Sequence, residues 1–191
     1  VMFMYQGVAL TYSNGGAITE RMVRPDGTQA IGLVPKMFRS LGKEPWLIVL
    51  LIVVVLFAHF VLNYTKHGRY MYAVGGNEEA ARLSGIPVKK YKIIAYVLSA
   101  LFAAIGGICL AGRVGTAQVS AGDAYLMPSV AAAYIGFSVA GAGKPNAIGT
   151  LVGAILVGML ENGLRMMAVP YYAMNIVKGA VLAIALAMTY Y

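Results

Sequence analysis

Long uncharged runs alternate with two polar intervals along this chain, and the alternation predicts its elements. Residues 46–62 are apolar at every position except His59, and Asn63, Tyr64 and Thr65 can extend the run. Residues 93–112 and 124–143 carry no charge, the second run containing Pro128. Residues 146–160 are also uncharged and end at Glu161-Asn162-Gly163, while 169–191 carries a single charge, Lys178. A helix crosses a bilayer with about 20 mostly apolar residues, so the pattern predicts about five spans. Residues 1–12 are too short to cross and read as the second half of a further helix. Lipid tolerates only helices or closed barrels, and the period-two alternation of a barrel strand is absent. The predicted fold class is therefore all-α, a polytopic membrane helix bundle forming one transmembrane domain over 1–191.

Small residues support packing between these helices. Gly149 and Gly153 stand four apart, and Gly106-Gly107 interrupts the side-chain surface of its run. Such positions let helix backbones approach closely where lipid removes the hydrophobic drive to associate.

Composition sharpens the class. The chain is 60% hydrophobic and 12% charged, against roughly 25% charged for an ordinary globular domain. Its formal net charge is +8, but most charged residues fall in two intervals, 20–44 and 66–92, that flank apolar runs. A nucleic-acid partner would want an exposed basic face on a water-soluble fold, and none is visible. The single cysteine, Cys109, sits inside an apolar run, so no disulfide forms within the chain, and it reads as a small buried hydrophobe. The chain begins within the apolar run at Val1 and stops at Tyr191 without a polar tail, which reads as a piece of a longer protein. Lys and Arg divide evenly between the two sides. The cluster Lys89, Lys90 and Lys92 beside a span favours placing 66–92 inside.

That interval is too polar to stay in lipid, and its chemistry is specific. Asn77 suits the N-cap of a short helix, and Glu78 and Glu79 complement the helix dipole in its first turn. Gly85 suits the left-handed residue that ends such a helix, with Pro87 two residues later. A helix of about two turns results, presenting small Ala80 and Ala81 beside Arg82. Physically it is either a capped surface helix with no partner or a docking element.

The string Gly75-Gly76-Asn77-Glu78-Glu79-Ala80-Ala81-Arg82-Leu83-Ser84-Gly85-Ile86 resembles the Glu-Ala-Ala-x-x-x-Gly loop of permease subunits of ABC importers. With Gly68-Arg69-Tyr70 before it, it is similar to the ribose-type monosaccharide permeases in particular. Gly141-Ala142-Gly143, Gly149-Thr150-Leu151-Val152-Gly153-Ala154, Asn162-Gly163-Leu164 and Val177-Lys178-Gly179 follow in family order. The resemblance covers the chain nearly end to end, without the family's N-terminal helices.

It implies a multi-pass subunit in the bacterial cytoplasmic (inner) membrane, moving a monosaccharide by alternating access. The implied partners are a second permease chain, an ABC ATPase subunit and an extracytoplasmic sugar-binding protein. The chain itself would be no enzyme, with no catalytic residue and no cofactor of its own. ATP and Mg would belong to the ATPase. Loop 66–92 would be the cytoplasmic coupling loop, with Asn77, Glu78, Glu79, Ala80, Ala81, Arg82 and Gly85 coupling to the ATPase. Loop 13–45 would be extracytoplasmic, either solvated or meeting the binding protein. Glu161 departs from the family, which commonly has an uncharged residue there.

Other residues have plainer readings beside functional ones. An ionisable group near a span is a functional candidate, yet Glu161 and Arg165 also have the i,i+4 order of a helix ion pair. Tyr134, Asn162 and Asn175 fit either a sugar pathway or core packing. Lys178 fits a polar path or a reach toward an interface. Gly143-Lys144 is no phosphate loop, because Ser138 stands where its first glycine belongs and Pro145 replaces the Ser or Thr. His59 and His67 lack a further ligand at metal-binding spacing, so no metal is expected. A nucleoside or branched-chain amino acid permease shares this architecture. An ion-coupled secondary transporter would need intramembrane carboxylates, for which Glu161 alone qualifies.

Overall fold

The uncharged runs fold as helices because a helix satisfies every backbone polar group within the segment, as lipid requires. A computed structural model describes residues 2–13, 15–19, 27, 35–140 and 144–190. Its elements in order are α1 (Met2–Tyr12), β1 (Ile18–Thr19), α2 (Lys36–Leu41), α3 (Trp46–Tyr64), α4 (Lys66–Gly76) and α5 (Glu78–Leu83). They continue with α6 (Val88–Val114), β2 (Thr116–Ala117), α7 (Asp123–Ala140), α8 (Ala147–Met166) and α9 (Tyr171–Tyr190). Among the described residues the fold is all-α apart from one antiparallel pair of two-residue strands, with Ile18 opposite Ala117 and Thr19 opposite Thr116. Residues 141–143, residues 14, 20–26 and 28–34 of loop 13–45, and the side chain of Asn175 lie outside the described residues.

Among the described residues, α3, α6 and α8 are long and apolar enough to cross a membrane. Helices α7 and α9, of 18 and 20 residues, occupy the two remaining predicted spans. No residue of α3 is buried, and Leu51, Ile52, Val53, Leu56, Phe57 and Phe60 stand about half exposed or more. A water-soluble monomer rarely exposes so continuous an apolar surface, whereas lipid solvates it. This is a membrane protein.

Around the loop between α3 and α6 the structure differs from the sequence expectation. Thr65 does not extend α3. It turns to an extended conformation and caps α4, its hydroxyl accepting from the Gly68 N–H at 3.1 Å and donating to the Val61 carbonyl at 2.6 Å. Helix α4 itself had no strong apolar signature to announce it. Helix α6 begins at Val88 rather than 93, so Lys89, Lys90 and Lys92 lie in its first turns, where long apolar stems let the ammonium groups reach water.

The described chain forms two compact units. The first comprises 1–52 and 97–123, and the second 53–96 and 124–191. In the first, Gly42 sits against the backbone of Gly112 and Arg113, where a Cβ would collide. Cys109 is buried there as a free thiol. In the second, Gly136 faces the backbone of Gly149 and Thr150, and Gly153 faces the Ala132 carbonyl. Ala131, Ala132 and Val157 are buried around that crossing, with Ile135 packed on them. The glycine spacing of α8 is thus a helix–helix seat with α7. Gly106 and Gly107, by contrast, have open space before them.

Candidate functional site

All of the loop between α3 and α6 belongs to the second unit, and its geometry is set by short-range chemistry. Helix α4 starts on the Thr65 cap and is seated by buried Gly68, where any Cβ would strike the Val61 and Leu62 carbonyls. Its other anchor is buried Tyr91 of α6. The Tyr91 hydroxyl lies 3.3 Å from His67 Nδ1, and the Tyr91 ring meets Tyr70 edge-on at 5.3 Å. Farther along, Tyr72 donates its hydroxyl to the Pro145 carbonyl at 2.6 Å. Partial burial raises the Tyr72 phenol above its ordinary value of 10.0, which already leaves it a donor at neutral pH.

Asn77 ends α4 and starts α5. Its extended backbone (φ −152°, ψ 107°) breaks one helix while its Oδ1 accepts from the Ala80 N–H at 3.0 Å. At the far end Gly85 adopts φ 78°. Its N–H bonds the Arg82 carbonyl and that of Ile86 bonds the Ala81 carbonyl, each at 3.0 Å, which together make a Schellman closure. Glu79 pairs with Arg82 at 2.9 Å, and Glu78 pairs with Lys92 at 2.5 Å, tying α5 to the start of α6. Exposed pairs of this kind contribute about 0–1 kcal/mol each, so the caps rather than the charges define the helix.

The seven loop candidates divide by exposure. Ala81 is buried at 4% and packs inside the loop, whereas Asn77, Glu78, Glu79, Ala80, Arg82 and Gly85 face outward. Leu83 was not foreseen and is 85% exposed. It lies three residues after Ala80 and four after Glu79, on one face of α5, so its helical spacing was the available signal. An apolar side chain held out beside two charges on a capped helix is suited to inserting into a groove on another protein.

The candidates on α7, α8 and α9 are arranged differently. Lys178 of α9 places Nζ 3.0 Å from Glu161 Oε1 on α8, and both side chains are less than one-fifth exposed. Arg165, the partner its spacing suggested, stands 4.0 Å from Glu161 and is largely exposed. Oε1 is buried, and its contact with Lys178 is a charge pair without hydrogen-bond direction. Tyr134 is half-buried on α7, and Asn162 is exposed on α8. Among the described residues no three His, Cys, Asp or Glu groups gather as a metal set.

Helices long and apolar enough to cross a membrane, with an exposed, doubly capped short helix in the loop between α3 and α6, define a polytopic membrane protein in class. A family model described as "Branched-chain amino acid transport system / permease component" matches residues 1–186, and the chain belongs to that permease family. It is 38% identical over 188 residues to the ribose import permease protein RbsC of Escherichia coli strain K12, covering 97% of this chain and 56% of that protein. Against the ribose import permease protein RbsC of Bacillus subtilis strain 168 the identity is 35% over 184 residues, covering 96% and 55%. Against the xylose transport system permease protein XylH of Escherichia coli strain K12 it is 39% over 144 residues, covering 75% and 37%. The chain therefore spans a little over half the length of the ribose relatives it matches. No solved structure matches it significantly.

Proposed function

We propose that this chain belongs to the membrane-spanning subunit of an ATP-driven importer that moves a monosaccharide by alternating access. The observation that carries the reading is α5, a short helix closed at both ends that holds Glu79, Ala80 and Leu83 outward. In this reading loop 66–92 is cytoplasmic and α5 enters a cleft on an ABC ATPase subunit, where ATP and Mg are bound and hydrolysis occurs. A second permease chain completes the pathway, and a sugar-binding protein delivers substrate on the opposite side of a bacterial inner membrane. The names of the ribose and xylose relatives support a pentose or related sugar over a nucleoside or amino acid. Against ion coupling, the carboxylate of Glu161 is already matched by the Lys178 ammonium at 3.0 Å.

The test is uptake of radiolabelled D-ribose and D-xylose by cells expressing the gene product that carries this chain together with the ATPase that co-purifies with it. Uptake that survives a protonophore at constant ATP, and disappears in Gly85→Asp and Glu79→Lys variants still present in the membrane, is the expected result. Collapse under the protonophore at constant ATP would instead identify an ion-coupled carrier.

A further inference from the structure

A docking helix transmits movement only through stiff connections, and the loop has one that is not local. Tyr72 and Pro145 are 73 residues apart in sequence, yet the Tyr72 hydroxyl reaches the Pro145 carbonyl at 2.6 Å. Both ends of this contact are rigidly held. On one side, α4 is fixed by the Gly68 seat, by Tyr91 against His67 and Tyr70, and by Asn77, which it shares with α5. On the other, Pro145 directly precedes Asn146, the N-cap of α8. Asn146 Oδ1 accepts from the Gly149 N–H at 2.5 Å, and its carbonyl accepts from the Thr150 hydroxyl at 2.9 Å. Displacement of Pro145 therefore displaces the end of α8 rather than a slack loop. From there α8 is seated on α7 through Gly149 and Gly153, and sixteen residues beyond Pro145, about 24 Å along the helix, Glu161 pairs with Lys178 of α9.

We propose that Tyr72 is a positioning residue through which loop 66–92 acts on α8. Its hydroxyl is the joint between the docking helix and the α7–α8–α9 group. The inference rests on the ATP-driven reading above. A phenol is protonated and able to donate at neutral pH, and the acceptor is a carbonyl just outside the helix, free of the α8 ladder. One hydrogen bond is too weak to hold the fold together, but it is enough to bias the equilibrium between two arrangements of coupled elements.

The experiment compares wild type with Tyr72→Phe, which removes only the hydroxyl, in proteoliposomes containing the co-purified ATPase. Radiolabelled D-ribose uptake and phosphate release are measured on the same vesicles. Tyr64→Phe, an exposed tyrosine at the end of α3, serves as the control. The expected Tyr72→Phe result is normal membrane level, ATPase association and phosphate release, with about fivefold fewer sugars moved per ATP. Wild-type sugars per ATP in Tyr72→Phe would overturn the proposal. So would a loss of ATPase association that accounts for the whole defect, since the role would then be structural. If wild type itself shows no ATP-driven uptake, the failure lies with the importer reading, and the Tyr72 proposal falls with it.

Discussion

Glu161 and Lys178 are held face to face on adjacent helices, each within a stretch otherwise suited to lipid. A lone charge costs up to about 2.5–3.5 kcal/mol at the centre of a membrane helix and less toward the end where Glu161 lies, and each residue offsets that cost for the other. Removing one partner leaves an uncompensated charge, and losses of about 3 kcal/mol are expected for Glu161→Leu and for Lys178→Met. Unfolding of the detergent-purified protein by denaturant measures this, and the double variant is expected to recover most of the loss. Equal stability of the single variants and wild type would mean that the pair is solvated rather than buried. Only half of this pairing was legible in the sequence. Spacing along α8 offered Arg165, because local periodicity sees i,i+4 neighbours. Lys178 reaches Glu161 through the packing of α8 on α9, which no local spacing encodes.

Caps and close approaches are decided at the scale of the element. The limits of α5 follow from Asn77, Gly85 and Pro87 because those residues act within a few positions of themselves, and the structure places the cap and the left-handed residue as the sequence predicts. Helix α4 was missed since its stability comes from contacts with Val61, Leu62 and Tyr91 rather than from an apolar stripe of its own. Leu83 was missed for a related reason. Spacing put it on the face of α5 shared by Glu79 and Ala80, but only the fold shows that nothing covers it. Helix α8 offers a sharper test, because the same substitution should have opposite effects at two of its glycines. Gly153→Ala drives a Cβ into the Ala132 carbonyl, so a loss of about 1–3 kcal/mol is expected although alanine is the better helix former. Gly158 has open space before it, and Gly158→Ala should be neutral or stabilising by up to about 1 kcal/mol. Thermal unfolding of the two variants in one detergent gives the comparison, and a shared sign would remove the α7–α8 seat from the account.

At the scale of the whole molecule, the apolar surface and the polar loop divide the work. Exposed aliphatic and aromatic side chains along α3 and α6 are matched to lipid, and the second unit carries the doubly capped helix out of it. Membrane class and helical fold were legible because about 20 uncharged residues in a row have few other outcomes. The lining of any pathway was not legible: Tyr134 and Asn162 give no local signal that separates lining from packing. Family membership and likeness to ribose and xylose permeases agree with a transport role, and on the proposed reading α5 is where an ATPase would dock. The most direct measurement is co-purification of the gene product carrying this chain with an ABC ATPase subunit, for wild type and Gly85→Asp. Wild type is expected to retain the ATPase, and Gly85→Asp, with a charged side chain forced into φ 78° at the end of α5, to release it while remaining in the membrane. An ATPase held equally by both, or by neither, would contradict the docking of α5.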